Sequence, residues 1–101
     1  MLEDAVALEQ AGADILLLEC VPNELGQAVR HAVSVPVIGI GAGPDVNGQI
    51  LVLYDMLGLY PGKKGRFVKD FMAEAQSIEG AVKNYVEAVK NGRFPGPEHC
   101  Y

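Results

Sequence analysis

The sequence predicts an α/β fold with a parallel sheet, on the strength of two patterns. Continuous apolar runs of strand length alternate with segments in which apolar residues recur at helical spacing. The strand-like runs end in a carboxylate or in glycines, which is typical of strands buried on both faces and open only at their carboxyl ends. Because strand, helix and strand follow one another, the strands should be parallel, adjacent and joined by a helical crossover.

The first half of the chain predicts a helix, a strand, a second helix and a second strand. Apolar spacing and a following glycine predict a helix over residues 2–11, and residues 14–19 form the first buried strand. Residues 22–33 carry an apolar stripe that begins with a proline suited to a first helical turn. Residues 35–40 are the second strand, which runs into a glycine-rich loop at 41–45.

The second half predicts one short strand and two helices. The apolar run 50–53 is predicted to be a strand, although a buried helix is the alternative for a run of this length. Helical spacing predicts one helix over residues 67–72 and another over 78–89 that ends at a glycine. The tail 93–101 contains two prolines and is predicted to be a loop.

Composition disfavours several classes of function. The chain has 8 Lys and Arg against 13 Asp and Glu, and no basic stripe offers a nucleic-acid backbone a binding surface. The longest apolar runs are strand-sized and the amino terminus is acidic, so neither a membrane segment nor a secretory signal is expected. The two cysteines are far apart in sequence and lack CxxC spacing, which predicts a reduced, cytoplasmic protein.

Glu19 is the strongest candidate for acid–base chemistry. It closes a predicted buried strand, and a carboxylate at such a position beside apolar residues is partly desolvated, which suits a general base. An ion-paired or solvated strand end is an equal alternative from position alone. Gly41 and Gly43 allow close approach of a substrate or anion, with a tight turn as their alternative. Pro44 rules out a dinucleotide-binding fingerprint in this loop.

Other polar residues are weaker candidates. Lys63, Lys64 and Arg66 form the one basic cluster, and a solvated loop is favoured over an anion site. Cys20 is predicted to be a packing residue, because no histidine is near it in sequence to activate a thiolate. No carboxylates and histidines have the spacing of a metal site. The isolated ones are Asp45, Asp55, His31 and His99.

Several phrases resemble the ketopantoate hydroxymethyltransferase family. The specific ones are Leu-Glu-Cys-Val-Pro at 18–22, Ile-Gly-Ile-Gly-Ala-Gly at 38–43 and Gly-Gln-Ile-Leu-Val at 48–52, and the tail 94–99 is similar too. The chain departs from the family pattern at Asn47, Tyr54 and Gly65-Arg66, so the segment after residue 53 is the least transferable part.

The resemblance implies the last strands and C-terminal helices of a (β/α)8 barrel. Because the chain has 101 residues and a complete barrel has roughly 250, the barrel is expected to be partial. Residues 1–65 would be its C-terminal strand–helix units, and residues 66–101 the helices and tail of the same domain. The full-length parent is expected to be a homo-oligomer.

The resemblance also implies a reaction. Glu19 would be the general base that takes a proton from 3-methyl-2-oxobutanoate, a small-molecule substrate. The enolate would then attack the one-carbon unit of 5,10-methylenetetrahydrofolate, giving 2-dehydropantoate for pantothenate biosynthesis. The family's magnesium ion, which chelates the keto acid, would take its ligands from the N-terminal part, so we expect these residues alone to be inactive.

Two other hypotheses remain open on the sequence. The chain could be a non-catalytic interaction module, in which exposed strand edges pair with another chain. It could also belong to a different (β/α)8 barrel that binds phosphate at its last loops.

Overall fold

A computed structural model describes the whole chain from Met1 to Tyr101 and has an α/β architecture. Its elements are α1 (Leu2–Gln10), β1 (Leu16–Glu19), α2 (Asn23–Ala32), β2 (Val37–Ile40), β3 (Gly48–Gln49), α3 (Leu53–Met56), α4 (Ile78–Lys90) and a short 3-10 helix (Pro97–His99). None of the helices combines the length and the apolar character needed to cross a lipid bilayer.

The three strands form one small parallel sheet in the order β1-β2-β3. Leu16 pairs with Val37 and Glu19 pairs with Ile40, so β1 and β2 end level with each other. Helix α2 connects these two strands, which is the crossover that parallel neighbours require. The predicted parallel, adjacent strands and the helix between them are therefore confirmed.

Helices α1 and α2 cover one face of the sheet and form the first hydrophobic core with it. The predicted helices at 2–11 and 22–33 are both confirmed, to within a residue or two at each end. Val29 of α2 and Val37 of β2 are the largest side chains that are completely buried. This core contains Ala5, Leu16, Leu18, Val21, Val29, Val37, Ala42 and Val46.

A second hydrophobic core lies around α4 and shares no residue with the first. The predicted helix at 78–89 is confirmed, and Ser77 caps its start: the Ser77 Oγ accepts a hydrogen bond from the Gly80 N–H at 3.0 Å. The rings of Phe71 and Phe94 pack edge to face with centroids 5.3 Å apart. The core contains Met56, Leu57, Phe71, Ala81, Ala88 and Phe94.

The predicted strand at 50–53 is wrong. The third strand is Gly48–Gln49, and the chain leaves the sheet after one further bond, from the Ile50 N–H to the Gly39 carbonyl at 3.0 Å. Leu53 begins α3, which places Met56 in the second core. A short apolar run fits either a strand or a helix, but residues 50–52 form neither here, and only Leu53 is helical.

The predicted helix at 67–72 is also wrong, because this segment forms turns. The Phe71 N–H donates to the Met56 carbonyl at 2.8 Å, and the Met72 N–H donates to Asp70 Oδ1 at 2.9 Å. Bonds to α3 and to a side chain thus replace the bonds of a helix. The tail is not loop throughout either, because it contains the short helix Pro97–His99.

Burial of β1 on both faces is a further prediction that the structure corrects. Leu16 and Leu18 are buried, whereas Leu17 is 57% exposed and the preceding Ile15 is 60% exposed. Both helices that pack on the sheet lie on the face of Leu16 and Leu18. The opposite face of β1 is apolar and uncovered in this chain.

Glu9 ties α1 to the start of β2. Its Oε2 accepts hydrogen bonds from two consecutive backbone N–H groups, those of Ser34 at 2.6 Å and Val35 at 3.0 Å. A carboxylate that accepts two backbone donors is stronger than a neutral acceptor at the same place. The contact holds the loop that leads from α2 into β2.

We predict that Glu9→Gln lowers the free energy of unfolding by about 1 to 2 kcal/mol, since it replaces a charged acceptor by a neutral amide. Urea unfolding followed by circular dichroism measures the change. Glu87→Gln is the matched control, because Glu87 is an exposed helical glutamate whose side chain makes no hydrogen bond. Equal effects of the two substitutions would contradict the role assigned to Glu9.

Candidate functional site

The carboxyl ends of β1 and β2 remain hydrogen-bonded beyond the last paired residues of the strands. The Cys20 N–H donates to the Ile40 carbonyl at 2.9 Å, and the Val21 N–H donates to the Gly41 carbonyl at 3.0 Å. Glu19 and the glycine-rich turn therefore lie side by side at the same end of the sheet. This confirms the predicted placement of the two features.

Glu19 is the last residue of β1 and is exposed. No side chain of the chain forms an ion pair with it, so the ion-paired alternative is excluded for these residues. The partial desolvation that we expected is also not provided here, because β1 is an edge strand with one uncovered face. Its carboxylate is free to meet a substrate or a further part of the protein.

An apolar groove of about 460 Å³ runs between α1 and β1, and Glu19 lies on its wall. The groove follows the unpaired edge of β1 from Ile15 to Val21. Leu8 from α1 and Leu17 from β1 line it, and both are exposed. The carboxylate of Glu19 thus borders an apolar surface.

Cys20 has a left-handed backbone with a φ of 53°, the one positive φ among the non-glycine residues. This conformation costs a residue with a Cβ about 1 to 2 kcal/mol. Cys20 is also exposed, so its predicted role as a packing residue is wrong. This strained residue directly follows Glu19. Its left-handed backbone turns the chain away from the sheet, while its N–H remains hydrogen-bonded to β2.

Gly41 and Gly43 both have left-handed backbones, with φ values of 70° and 80°. A Cβ at Gly41 would lie 3.0 Å from the Phe67 ring and 3.3 Å from the Cys20 nitrogen. A Cβ at Gly43 would overlap the side chain of Asn23. Turn geometry and close packing therefore explain both glycines, and their role in substrate binding stays a prediction.

Asn23 is a polar residue of this region that sequence analysis missed. Its Oδ1 is buried against Gly43 and has no hydrogen-bond partner, while its N–H donates to the Tyr101 carbonyl at 3.3 Å. Gln49 Nε2 holds the same loop from the other side by donating to the Gly43 carbonyl at 2.8 Å. The sequence signal was an asparagine directly after Pro22, at the start of a predicted helix.

The basic cluster divides into two kinds of residue. Lys63 and Lys64 are exposed in a loop, as predicted. Arg66 is also exposed, yet its Nη1 donates to the Cys100 carbonyl at 3.4 Å and its guanidinium lies 5.5 Å from the centroid of the Tyr101 ring. The solvated-loop prediction therefore holds for Arg66 as well, although its exposed side chain also contacts the C-terminal tail.

His99 belongs to the tail rather than to the end of the sheet. Its Nδ1 accepts a hydrogen bond from the Gly96 N–H at 3.0 Å, which requires this nitrogen to be unprotonated. Burial lowers the pKa of His99, against an opposing effect of Glu98 and with a smaller lowering by Lys69. The imidazole is therefore neutral near neutral pH, and the 3.2 Å contact from Nδ1 to Glu98 is not an ion pair.

The remaining candidates are not brought together. His31 is exposed on α2, Asp45 is the last residue of the glycine-rich loop, and Asp55 lies in α3. No group of three or more His, Cys, Asp or Glu side chains in the structure is placed to hold a metal ion.

Comparison with known proteins gives a consistent family. A family model described as ketopantoate hydroxymethyltransferase matches residues 1–97. The 3-methyl-2-oxobutanoate hydroxymethyltransferase of Nitrosospira multiformis is 62% identical over all 101 residues, which cover 38% of that protein. Proteins of Burkholderia lata and Hahella chejuensis, both called 3-methyl-2-oxobutanoate hydroxymethyltransferase 2, are each 58% identical over the whole chain, covering 37% and 38% of their lengths. The chain thus spans well under half the length of the curated relatives it matches.

We predict that Gly43→Ala lowers the free energy of unfolding by about 3 kcal/mol, because it adds overlap with Asn23 to the cost of a left-handed alanine. Chemical denaturation measures the loss. Gly92→Ala is the matched control, since Gly92 has a φ of 74° and open space where a Cβ would lie. It should cost only the backbone strain of about 1 kcal/mol. Equal losses would show that the Asn23 contact does not constrain the turn.

Proposed function

Because the chain belongs to the ketopantoate hydroxymethyltransferase family, we propose that it supplies the general base of a 3-methyl-2-oxobutanoate hydroxymethyltransferase. The base is Glu19. The observation that carries this assignment is its position: an unpaired carboxylate at the carboxyl end of a parallel strand, level with the glycine-rich turn after the next strand. In (β/α)8 barrels that end of the strands holds the chemistry.

The proposed reaction begins when Glu19 accepts a proton from the carbon of 3-methyl-2-oxobutanoate that bears the methyl groups. The electron pair of the broken C–H bond forms an enolate, which makes a new C–C bond to the one-carbon unit of 5,10-methylenetetrahydrofolate. Both C–N bonds of the one-carbon unit break, and water supplies the hydroxyl of the product, 2-dehydropantoate. The proton from the substrate carbon and the second proton of water go to the two nitrogens of the released tetrahydrofolate. A carboxylate acts as such a base when it is positioned against the carbon acid and shielded from water.

The shielding that Glu19 needs is proposed to come from outside these residues. β1 is an edge strand, and Ile15 and Leu17 present an apolar face that nothing in this chain covers. We therefore extend the proposal to the fold: β1, β2 and β3 are consecutive strands of a (β/α)8 barrel. The unpaired edge of β1 and its apolar face are where the rest of the barrel would pack.

A metal site does not fit the residues of this chain. Magnesium prefers several oxygen ligands, and no cluster of three carboxylates or other metal-ligating side chains exists here. We therefore derive no step through a metal from these residues. Within the proposal, Gly41 is half-buried beside Cys20 and borders the site, whereas Gly43 is buried and acts through the shape of the turn.

Membership of the family removes one of the earlier hypotheses. Because residues 1–97 match the ketopantoate hydroxymethyltransferase family, assignment to another, phosphate-binding barrel is set aside. The hypothesis of a non-catalytic interaction module is favoured by one observation, the uncovered apolar groove beside β1. The proposed barrel accounts for the same groove and, in addition, for the free carboxylate on its wall.

We predict that Glu19→Gln reduces kcat about 100-fold or more, because removal of a positioned base costs that much in comparable reactions. The test protein is the Nitrosospira multiformis relative with its matched segment replaced by these 101 residues. Formation of 2-dehydropantoate is measured with magnesium, 3-methyl-2-oxobutanoate and methylenetetrahydrofolate supplied.

Glu24→Gln is the matched control for this test, since Glu24 is an exposed glutamate in the first turn of α2 and should be dispensable. The 101 residues alone should show no turnover. A folded but inactive chimera, or full activity in the Glu19→Gln variant, would contradict the proposed function.

A further inference from the structure

Three residues from the second half of the chain form a contact cluster next to the end of the sheet that carries Glu19. They are Arg66, Phe67 and Tyr101, and we call them the strap. Phe67 and Tyr101 are in contact, with ring centroids 6.4 Å apart, and Arg66 lies over the Tyr101 ring at 5.5 Å. The strap thus joins the loop before α4 to the last residue of the chain.

The strap contacts the turn after β2 and the start of α2. The Phe67 side chain occupies the space over Gly41, where its Cγ and Cβ lie 3.0 and 3.2 Å from the position of a Cβ. The Tyr101 carbonyl accepts a hydrogen bond from the N–H of Asn23, the first residue of α2. One side of the Gly41 turn is therefore bonded to Val21, and Phe67 closes the other side.

Phe67 packs outside both hydrophobic cores. It is nevertheless half-buried. An aromatic side chain that packs on a glycine at a strand end, and outside both cores, adds little to global packing. Its contact with Gly41 restrains the one turn that is hydrogen-bonded to the residues following Glu19.

We propose that the strap positions Glu19 by holding the Gly41 turn, and with it Cys20 and Val21, in a single arrangement. Arg66, Phe67 and Tyr101 are positioning residues, because they act on Glu19 through the backbone of Gly41 and Cys20. The effect on catalysis rests on the proposed function, whereas the restraint on the strand end does not.

The restraint is tested on the chain itself by amide hydrogen exchange. Phe67→Ala should speed exchange of the Cys20 and Val21 amides about tenfold, while the Leu16 amide, which bonds Pro36 at the far end of the same strand, changes little. The side-chain carboxyl ¹³C signal of Glu19 should shift as well. Tyr101→Ala should act in the same direction, and Tyr60→Ala, at an exposed tyrosine outside the strap, should not.

Conservative variants separate positioning from general destabilisation. Phe67→Leu and Tyr101→Phe keep the apolar contacts and should restore slow exchange at Cys20 and Val21. Equally faster exchange at all amides, or no change at the Cys20 and Val21 amides, would overturn the proposed role of the strap. So would an unmoved Glu19 signal.

The catalytic consequence is measured in the chimera used for the Glu19 test. Phe67→Ala should lower kcat about tenfold with little change in KM for the keto acid, since a displaced base is present but misaligned. Unchanged kcat in an active chimera would overturn the positioning role. If the unmodified chimera is inactive, the proposed function fails, and the exchange results alone decide whether the strap restrains Glu19.

Discussion

The hydrogen bonds that continue from β1 to β2 past the ends of the strands are the interaction on which the site depends. The bonds from Cys20 to Ile40 and from Val21 to Gly41 keep the segments that follow β1 and β2 together beyond the ends of the strands. They require the segments after β1 and β2 to turn at the same level. Gly41 adopts the left-handed backbone of this turn without a steric cost, whereas Cys20 adopts it with strain. Glu19 is held at this shared turn, beside a glycine that leaves room for Phe67.

Contacts with the two hydrophobic cores also stabilise this end of the sheet. The first core, beneath β1 and β2, sets the register that brings Glu19 level with Ile40. The second core surrounds α4 and has no residue in common with the first. Contacts made by Phe67 and by the tail therefore connect the α4 region to the end of the sheet.

Local patterns were sufficient for the elements of the first half. The crossover helix and the two parallel strands follow from apolar periodicity and from glycine and proline at the element ends, which are properties of neighbouring residues. The strand expected at 50–53 and the helix expected at 67–72 failed because contacts distant in sequence decide both segments. Phe71 bonds back to Met56, and no periodicity of residues 67–72 reveals that.

The candidate site was also predictable only in part, because local patterns determine some of its features and contacts distant in sequence determine the others. Parallel strand order placed Glu19 next to the glycine turn, whereas exposure of Glu19 depends on what covers the outer face of β1, which the strand's own pattern does not encode. The left-handed Cys20 and the contact of Asn23 with Gly43 arise from tertiary structure, and cysteine gives no sequence signal for such a backbone. The cytoplasmic location, the homo-oligomeric state and the grouping into 1–65 and 66–101 stay predictions.

The pairing at the strand ends can be observed directly by through-hydrogen-bond scalar coupling in a ¹⁵N,¹³C-labelled sample. Coupling should appear between the Val21 nitrogen and the Gly41 carbonyl carbon, and between the Cys20 nitrogen and the Ile40 carbonyl carbon. The bond from Leu16 to Pro36 at the other end of β1 provides an internal reference. Coupling at all three places would establish that Glu19 and the Gly41 turn form one rigid strand end. Coupling at Leu16 without coupling at Cys20 and Val21 would show that the two strands separate before they reach the proposed site.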